Sequence, residues 1–330
     1  MSSDVPLKRH DPCDLCGENA FQVIAQSDRR GKPLDTVICR YCGLVSHARV
    51  PSADELSAYY HDAYRTEYQG EFCPSGYRVV REWNRGKDLV RRLRQHLSQD
   101  DRIFEVGSGI GCNLMSLADE GYTVRGIEPN IGYWRFSHDE LGAPVELQYL
   151  EESPRLPVFD VILLVHVLEH LRSPSDTLAQ LRSMLRAGGR VYVEVPNFAA
   201  PHAAPNKWFH FAHIYNFTPS SLTMLANQAG FDVQQVGRSE RRNLRMLLTR
   251  RDDRHWQLDT TNYASTLRGM NRYNWLTYHG RLSYLAERTS VLAGRLGERI
   301  LTQRRVDHIR EVCTNLAASS TINAIHADAA

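Results

Sequence analysis

Residues 103–113 read IFEVGSGIGCN, an apolar run holding one acid, then glycine at every second position, then a polar turn. Gly107, Gly109 and Gly111, placed directly after a strand-like run, let the backbone approach a ligand that side chains would exclude. Outward from this turn the chain alternates. RIFEV (102–106), YTVRGI (122–127), PVELQY (144–149), FDVILLV (159–165) and GRVYVEV (189–195) read as five strands, with helices after Gly111 and from Ser175 to Leu185 between them. The alternation predicts an α/β fold with a doubly wound, Rossmann-like parallel sheet. PSSLTMLANQAGF predicts a further helix ending at Gly230, and Asp232–Val236 and Leu244–Thr249 predict an antiparallel hairpin that brings the sheet to seven strands.

The turn predicts a nucleoside ligand. Glu128 ends the second strand, 17 positions after Gly111, where a carboxylate can accept hydrogen bonds from both ribose hydroxyls. A second acid, Glu105, lies inside the end of the first strand, in an E-x-G-x-G-x-G pattern rather than G-x-G-x-x-G. A carboxylate there suits a cationic amino-acid tail and would repel a pyrophosphate.

The pieces FEVGSGIG, GIEPN, FDVILLVHVLEHL, LRAGGRVYVEVPN and FTPSSLTMLANQAGF, in this order over roughly residues 100–250, resemble class I S-adenosylmethionine-dependent methyltransferases. The resemblance implies that Glu105, Gly107, Ser108, Gly109 and Gly111 face the methionine part of the donor, that Glu128 takes the ribose, and that Pro129 lines the adenine. It implies S-adenosylhomocysteine as the product. The segment ELSAYYHDAYRTEY contains Tyr59, Tyr60, Tyr64 and Tyr68; its rings are expected either to fold over the sulfonium, Tyr64 among them, or to pack between modules.

The N-terminal region holds CDLCG at 13–17 and CRYCG at 39–43. Two C-x-x-C pairs, each followed by glycine, predict a structural zinc ribbon ligated by Cys13, Cys16, Cys39 and Cys42. A redox pair would sit beside a helix in a βαβ unit, and neither pair does. The module is similar to the zinc-binding domain fused to deoxysugar C-methyltransferases and to methyltransferases of polysaccharide and natural-product clusters.

Histidines supply the candidate bases. HVLEH at 166–170 spells a zinc-peptidase pattern, but His166 follows VILLV directly, so it is expected to end a strand while His170 begins the next helix. In KWFHFAHIYNFT, His210 and His213 precede the Phe-Thr that opens a helix. Where deoxysugar C-methyltransferases carry a Glu-His pair, the His matches His213, the Glu position is Ala212, and a nearby Tyr position is His210. Methyl transfer to a hydroxyl needs alignment and a base. The candidates are His213, His210 and His166, with a packed structural histidine as the alternative at each.

The expected activity is O-methylation of a sugar, glycan intermediate or related secondary metabolite. Sugar C-methylation, RNA methylation and a non-catalytic donor-binding scaffold are the alternatives. Near-equal acids and bases, net +2, argue against a nucleic-acid partner. No run approaches the roughly 18 apolar residues of a membrane span and no signal peptide is read, so a cytoplasmic location is expected. The boundaries are read as a zinc ribbon over 1–50, a Tyr-rich linker with helices including Gly86–Leu97 over 51–98, the donor-binding domain over 99–252 and a helical region over 253–330. There Leu282, Leu285, Leu292, Leu296, Ile300 and Leu301 share a face suited to packing or a homodimer. The last dozen residues read as a loose tail.

Overall fold

The computed structural model describes residues 11–59, 74–200, 203–236, 243–252, 256–272, 274–281, 284, 286, 289 and 302–318. Tyr60, Tyr64 and Tyr68, the leucine face of 282–301 and the C-terminal tail lie outside the described residues.

The chain divides into two compact units. One gathers Met1–Glu55, His166–Ser183 and Val191–Glu287; the other gathers Leu56–Val165, Met184–Arg190 and Arg288–Ala330. Two sheets are present. The smaller comprises β1 (Phe21–Ser27), β2 (Pro33–Cys39), β3 (Val45–His47) and a late strand, β9 (Tyr215–Asn216), in the order β1-β2-β3-β9. The larger comprises β4 (Arg102–Val106), β5 (Thr123–Ile127), β6 (Val145–Glu146), β7 (Phe159–Val165), β8 (Leu185–Pro196), β10 (Phe231–Gln235) and β11 (Asn243–Arg250). Its order is β10-β11-β8-β7-β4-β5-β6, with β8 running through both units. β4 pairs in parallel with β5 and β7, β5 in parallel with β6, and β10 antiparallel with β11. This is the doubly wound seven-stranded arrangement that the strand and helix alternation predicts.

Local chemistry explains the central strands. Val161, Ile162, Leu163 and Leu164 are fully buried, as a strand covered on both faces requires. The outer strand β6 is shorter than PVELQY suggests. Leu147 and Tyr149 are 46% and 39% exposed, so nothing among the described residues covers the continuation. The Tyr149 amide instead donates to Glu152 Oε2 at 2.9 Å and starts a 3-10 turn over Leu150–Glu152.

Two further expectations are corrected. The helix placed at Gly86–Leu97 spans Gly76–Leu93, capped by Ser75, whose Oγ accepts from the Arg78 amide at 3.4 Å. Gly86 marks a crossing and not a start. A Cβ there would stand 2.5 Å from Ser116 Oγ and 2.7 Å from the Cys112 carbonyl oxygen, because the helix Cys112–Ala118 lies against it. His170 does not begin the next helix. It closes a 3-10 turn, Leu168–His170, and the helix starts at Pro174. The reason is a cap from far away in sequence: the Asp14 carboxylate, inside the first cysteine pair, accepts from the Ser175 amide at 2.9 Å and from Ser173 Oγ at 2.7 Å.

Within the first unit, Ile38, Val45, Phe198, Trp208 and Phe209 form a core against which Tyr263, Leu267 and Met270 of the helix Thr261–Asn271 pack. Asn262 Nδ2 donates to the Cys42 carbonyl oxygen at 2.7 Å and its Oδ1 accepts from Thr218 Oγ1 at 2.9 Å. In the second unit the helix Thr302–Ala318 buries Val306, Ile309 and Cys313 and packs on Gly76–Leu93. No helix among the described residues is long and apolar enough to cross a membrane.

Candidate functional site

In the second unit, β4 ends and the chain turns through Gly107, Gly109 and Gly111, with φ of 66°, 59° and 76°. These left-handed values favour glycine. At Gly111 crowding adds to this, since a Cβ would meet that of Ala143 at 2.9 Å. Glu128, at the end of β5, accepts from the Gly109 amide at 2.8 Å and from the Asn130 amide at 2.9 Å. Its carboxylate therefore both shapes the turn and presents oxygen beside it. Asn130 in turn caps the short helix Ile131–Arg135 through the Tyr133 amide at 3.1 Å.

Glu105 is fully buried, and one oxygen accepts from Asn113 Nδ2 at 2.7 Å. Its Oε2 meets no hydrogen-bond donor among the described residues, and neither does buried Ser108 Oγ. Burial, with the nearby Glu128 charge adding to it, pushes the Glu105 carboxyl up to about 8, although the Asn113 bond opposes the rise. An orphaned carboxylate oxygen and an orphaned hydroxyl beside a glycine turn fit a ligand carrying an ammonium group and hydrogen-bonding hydroxyls. Pro129 follows Glu128 and is half-buried. Asn113 and Asn130 did not emerge from the sequence reading; the signal was Asn113 on the first turn of the helix that the glycines open.

In the first unit, Cys13, Cys16, Cys39 and Cys42 bring their sulfurs within 4.8 Å of one another. The pairs Cys13–Cys42 and Cys16–Cys39 stand at 3.5 Å. Tetrahedral zinc with Zn–S bonds of about 2.3 Å requires sulfurs about 3.8 Å apart. Gly17 and Gly43, with φ of 76° and 70°, close the two turns, and the Leu44 amide points at Cys42 Sγ at 3.5 Å. The crowded sulfurs disturb each other's protonation: Cys16 holds Cys13 above the ordinary thiol range, and Cys13 holds Cys39 below it. Four sulfurs so placed fit a divalent soft cation, which deprotonates its thiols outright.

The same unit gathers the histidines from separate segments. β7 ends at Val165, and His166 adopts φ of 56°, the one non-glycine positive value among the described residues. Its Nε2 stands 3.3 Å from Asn243 Nδ2, which donates to Glu194 Oε1 at 2.7 Å. Burial alone would raise the Glu194 carboxyl, but Arg245, His166 and Asn243 bring it down to about 2. His210 and His213 lie on one turn, with the His213 amide donating to the His210 carbonyl at 3.1 Å and the rings 3.9 Å apart. This turn is fastened from two sides. β9 pairs with ribbon strand β3 through Val45↔Asn216 and Ser46↔Tyr215, and His170 Nδ1 donates to the Ala212 carbonyl oxygen at 2.6 Å.

At the centre stands Glu169, 1% exposed. Its Oε1 is 3.4 Å from His166 Nδ1 and 3.9 Å from both His170 Nε2 and His213 Nε2. Two of the three sequence candidates, His166 and His213, thus face a carboxylate that sequence reasoning passed over as part of a rejected peptidase pattern, while His210 lies beside His213. No such helix forms, and the Glu169–His170 pair faces His213. Tyr64 lies outside the described residues.

Residues 77–236 match a family described as a methyltransferase domain. Similar curated proteins include the tRNA U34 carboxymethyltransferases of Shewanella woodyi, 34% identical over 138 residues (38% of this chain, 41% of the relative), and Shewanella sediminis, 35% identical over 138 residues with the same coverage. The chain spans about two fifths of the length of these relatives. Among solved structures, Burkholderia thailandensis 1,6-didemethyltoxoflavin-N1-methyltransferase, with bound 1,6-didemethyltoxoflavin and S-adenosylhomocysteine, is 20% identical at a TM-score of 0.48, covering 63% of this chain and 96% of that one. Magnesium protoporphyrin IX methyltransferase of Synechocystis PCC 6803, with bound S-adenosylmethionine, is 13% identical at a TM-score of 0.45, covering 61% and 100%. With the family match laid over the turn that Glu128 shapes and Glu105 underlies, residues 77–236 of this chain are similar to a methyltransferase domain.

Proposed function

We propose that this protein methylates a hydroxyl of a sugar, a glycan intermediate or a related secondary metabolite in the cytoplasm, with Cys13, Cys16, Cys39 and Cys42 holding a structural zinc ion. The observation that carries the reading is the buried Glu169 carboxylate facing the imidazoles of His166, His170 and His213. A sugar hydroxyl is barely acidic, so its oxygen needs to lose a proton as it attacks. His213 takes that proton, and the Glu169 charge stabilises the imidazolium that results. The His210 ring lies 3.9 Å from that of His213, tilted by 51°, and helps to orient it, while His166 Nδ1 stands 3.4 Å from the same Glu169 oxygen. The new bond joins the acceptor oxygen to the methyl carbon, the carbon–sulfur bond breaks, and S-adenosylhomocysteine leaves. On the donor side Glu105 and the turn at Gly107, Ser108, Gly109 and Gly111 bind the amino-acid portion, Glu128 the ribose, and Pro129 lines the adenine.

The test is transfer of labelled methyl into extracts fractionated into nucleotide sugars, glycans, small metabolites and RNA. Label is expected in a sugar-containing fraction and is expected to fall by about 10² to 10⁴ in His213→Ala, the range for loss of a positioned base, with donor affinity unchanged. Label in RNase-sensitive material would favour a second reading, an RNA acceptor, which the names of the tRNA-modifying relatives support over the part of the chain they match. The near balance of 40 basic and 38 acidic residues favours the first.

A further inference from the structure

The Glu169 site raises a question that proton transfer alone does not answer. A carboxylate 1% exposed is expected to be hydrogen-bonded, because burying an ion without partners costs several kcal/mol or more, of order. Neither Glu169 oxygen takes a hydrogen bond among the described residues. What surrounds it instead is a shell of nitrogen atoms at 3.4 to 3.9 Å. That is too far for hydrogen bonds and close to the spacing of ligands around one ion.

We propose that Glu169, His170 and His213 form a second metal site, distinct from the cysteine cluster, that binds a divalent first-row transition metal and leaves a coordination position for the acceptor oxygen. One ligand atom from each residue lies within 4.8 Å of the other two. Bonds of about 2.0 to 2.2 Å to nitrogen and oxygen would draw those atoms to about 3.0 to 3.6 Å apart, a contraction that small side-chain rotations supply. His170 carries the outer support that metal-binding histidines have. Its Nδ1 donates to the Ala212 carbonyl oxygen at 2.6 Å, which puts the proton on that nitrogen and turns the Nε2 lone pair toward Glu169. The ring edge of His170 meets His213 at a centroid distance of 4.9 Å and an angle of 78°, so two imidazole nitrogens converge without stacking. Two imidazoles and one carboxylate suit zinc, iron(II), cobalt or manganese, and lack the oxygen count that calcium or magnesium demands. His213 keeps 13% side-chain exposure, which opens the site on one side. His166 Nδ1 faces the same carboxylate oxygen, while its Nε2 is turned to Asn243, so it supports the carboxylate from outside.

This inference rests on the acceptor reading above and changes how the hydroxyl is activated. The acceptor O–H ionises on the metal and its proton leaves to solvent. The oxygen then forms the bond to the methyl carbon as the carbon–sulfur bond breaks, and the electron pair of that bond stays on sulfur. His213 serves as a ligand in this scheme and not as the base.

The experiment is metal analysis of the full chain purified without chelators, followed by replacement with Co²⁺. Two ions per chain are expected, and the cobalt form is expected to show the weak visible bands of a nitrogen and oxygen site beside the intense thiolate absorption of the cysteine site. Glu169→Gln and His170→Gln should each bring the count from two to one and remove only the nitrogen and oxygen bands. If either variant fails to fold, the cobalt spectrum of the unsubstituted protein decides alone. One ion per chain with a purely thiolate spectrum would overturn the metal site. His213-dependent methyl transfer by that same preparation would then leave the base reading standing, and its absence would remove both.

Discussion

The glycine turn and the histidine cluster differ in how the chain builds them. Glu105, the three glycines and Asn113 come from nine consecutive residues, and Glu128 follows one strand later. His166, Glu169 and His170 share one five-residue stretch, but His210 with His213 and the distant Asn243 come from separate segments, joined to it by β9 pairing, by one carbonyl contact at Ala212 and by the contact of Asn243 with His166. A site written in one stretch survives damage elsewhere. A site assembled from distant pieces depends on whatever holds those pieces, and here the ribbon strand β3 holds the histidine turn.

The largest effect expected from that contrast is loss of the zinc proposed for the four cysteines. Structural zinc binding is worth on the order of 10 kcal/mol. Cys39→Ser, or a strong chelator, should therefore abolish the cooperative melting of the first unit and methyl transfer with it, while titration calorimetry should still find donor binding. Equal loss of both would break the contrast.

Glu128→Ala is expected to weaken donor binding by about 1.5 to 3 kcal/mol, the worth of hydrogen bonds to a charged group. The same calorimetry checks it, and an unchanged affinity would remove the nucleoside assignment. The variant also removes the acceptor for the Gly109 and Asn130 amides, so the turn should exchange its amide protons faster.

Glu105 adds a pH dependence with a definite sign. Its folded value of about 8 lies above the ordinary 4.5, so the folded protein holds an extra proton between those values and loses stability as pH rises through that window. A donor ammonium bound beside Glu105, as proposed above, would favour the carboxylate and expel the proton. Donor affinity should therefore rise with pH up to about 8, by up to about tenfold per unit, and level off above it. Calorimetry in buffers of different ionisation enthalpy should show proton release near pH 7. A flat profile would mean that Glu105 does not meet the ammonium.

The smallest effect is expected at Asp14. Removing the cap of the helix Pro174–Met184 should cost about 1 kcal/mol, read as a lower melting temperature for Asp14→Ala with zinc content intact. Burial raises the Asp14 carboxyl while Ser173 and Ser175 pull it back, so part of the loss should be offset.

Pattern and spacing carried the parts whose contacts are local. The alternation of strands and helices, the glycine turn with its two acids, and the paired C-x-x-C cysteines are each written within a few residues or at one repeated interval, and backbone sterics and ligand geometry leave little else for such patterns to do. Tertiary structure decided the rest. Glu169 was hidden inside a pattern that looked like a peptidase on a helix, and only the fold turned it toward His213. The shortening of β6, the placement of Gly86 at a helix crossing and the Asp14 cap 161 positions from its partner Ser175 depend on which surfaces meet. Nothing in neighbouring residues encodes that, because burial and long-range hydrogen bonding are properties of the packed chain.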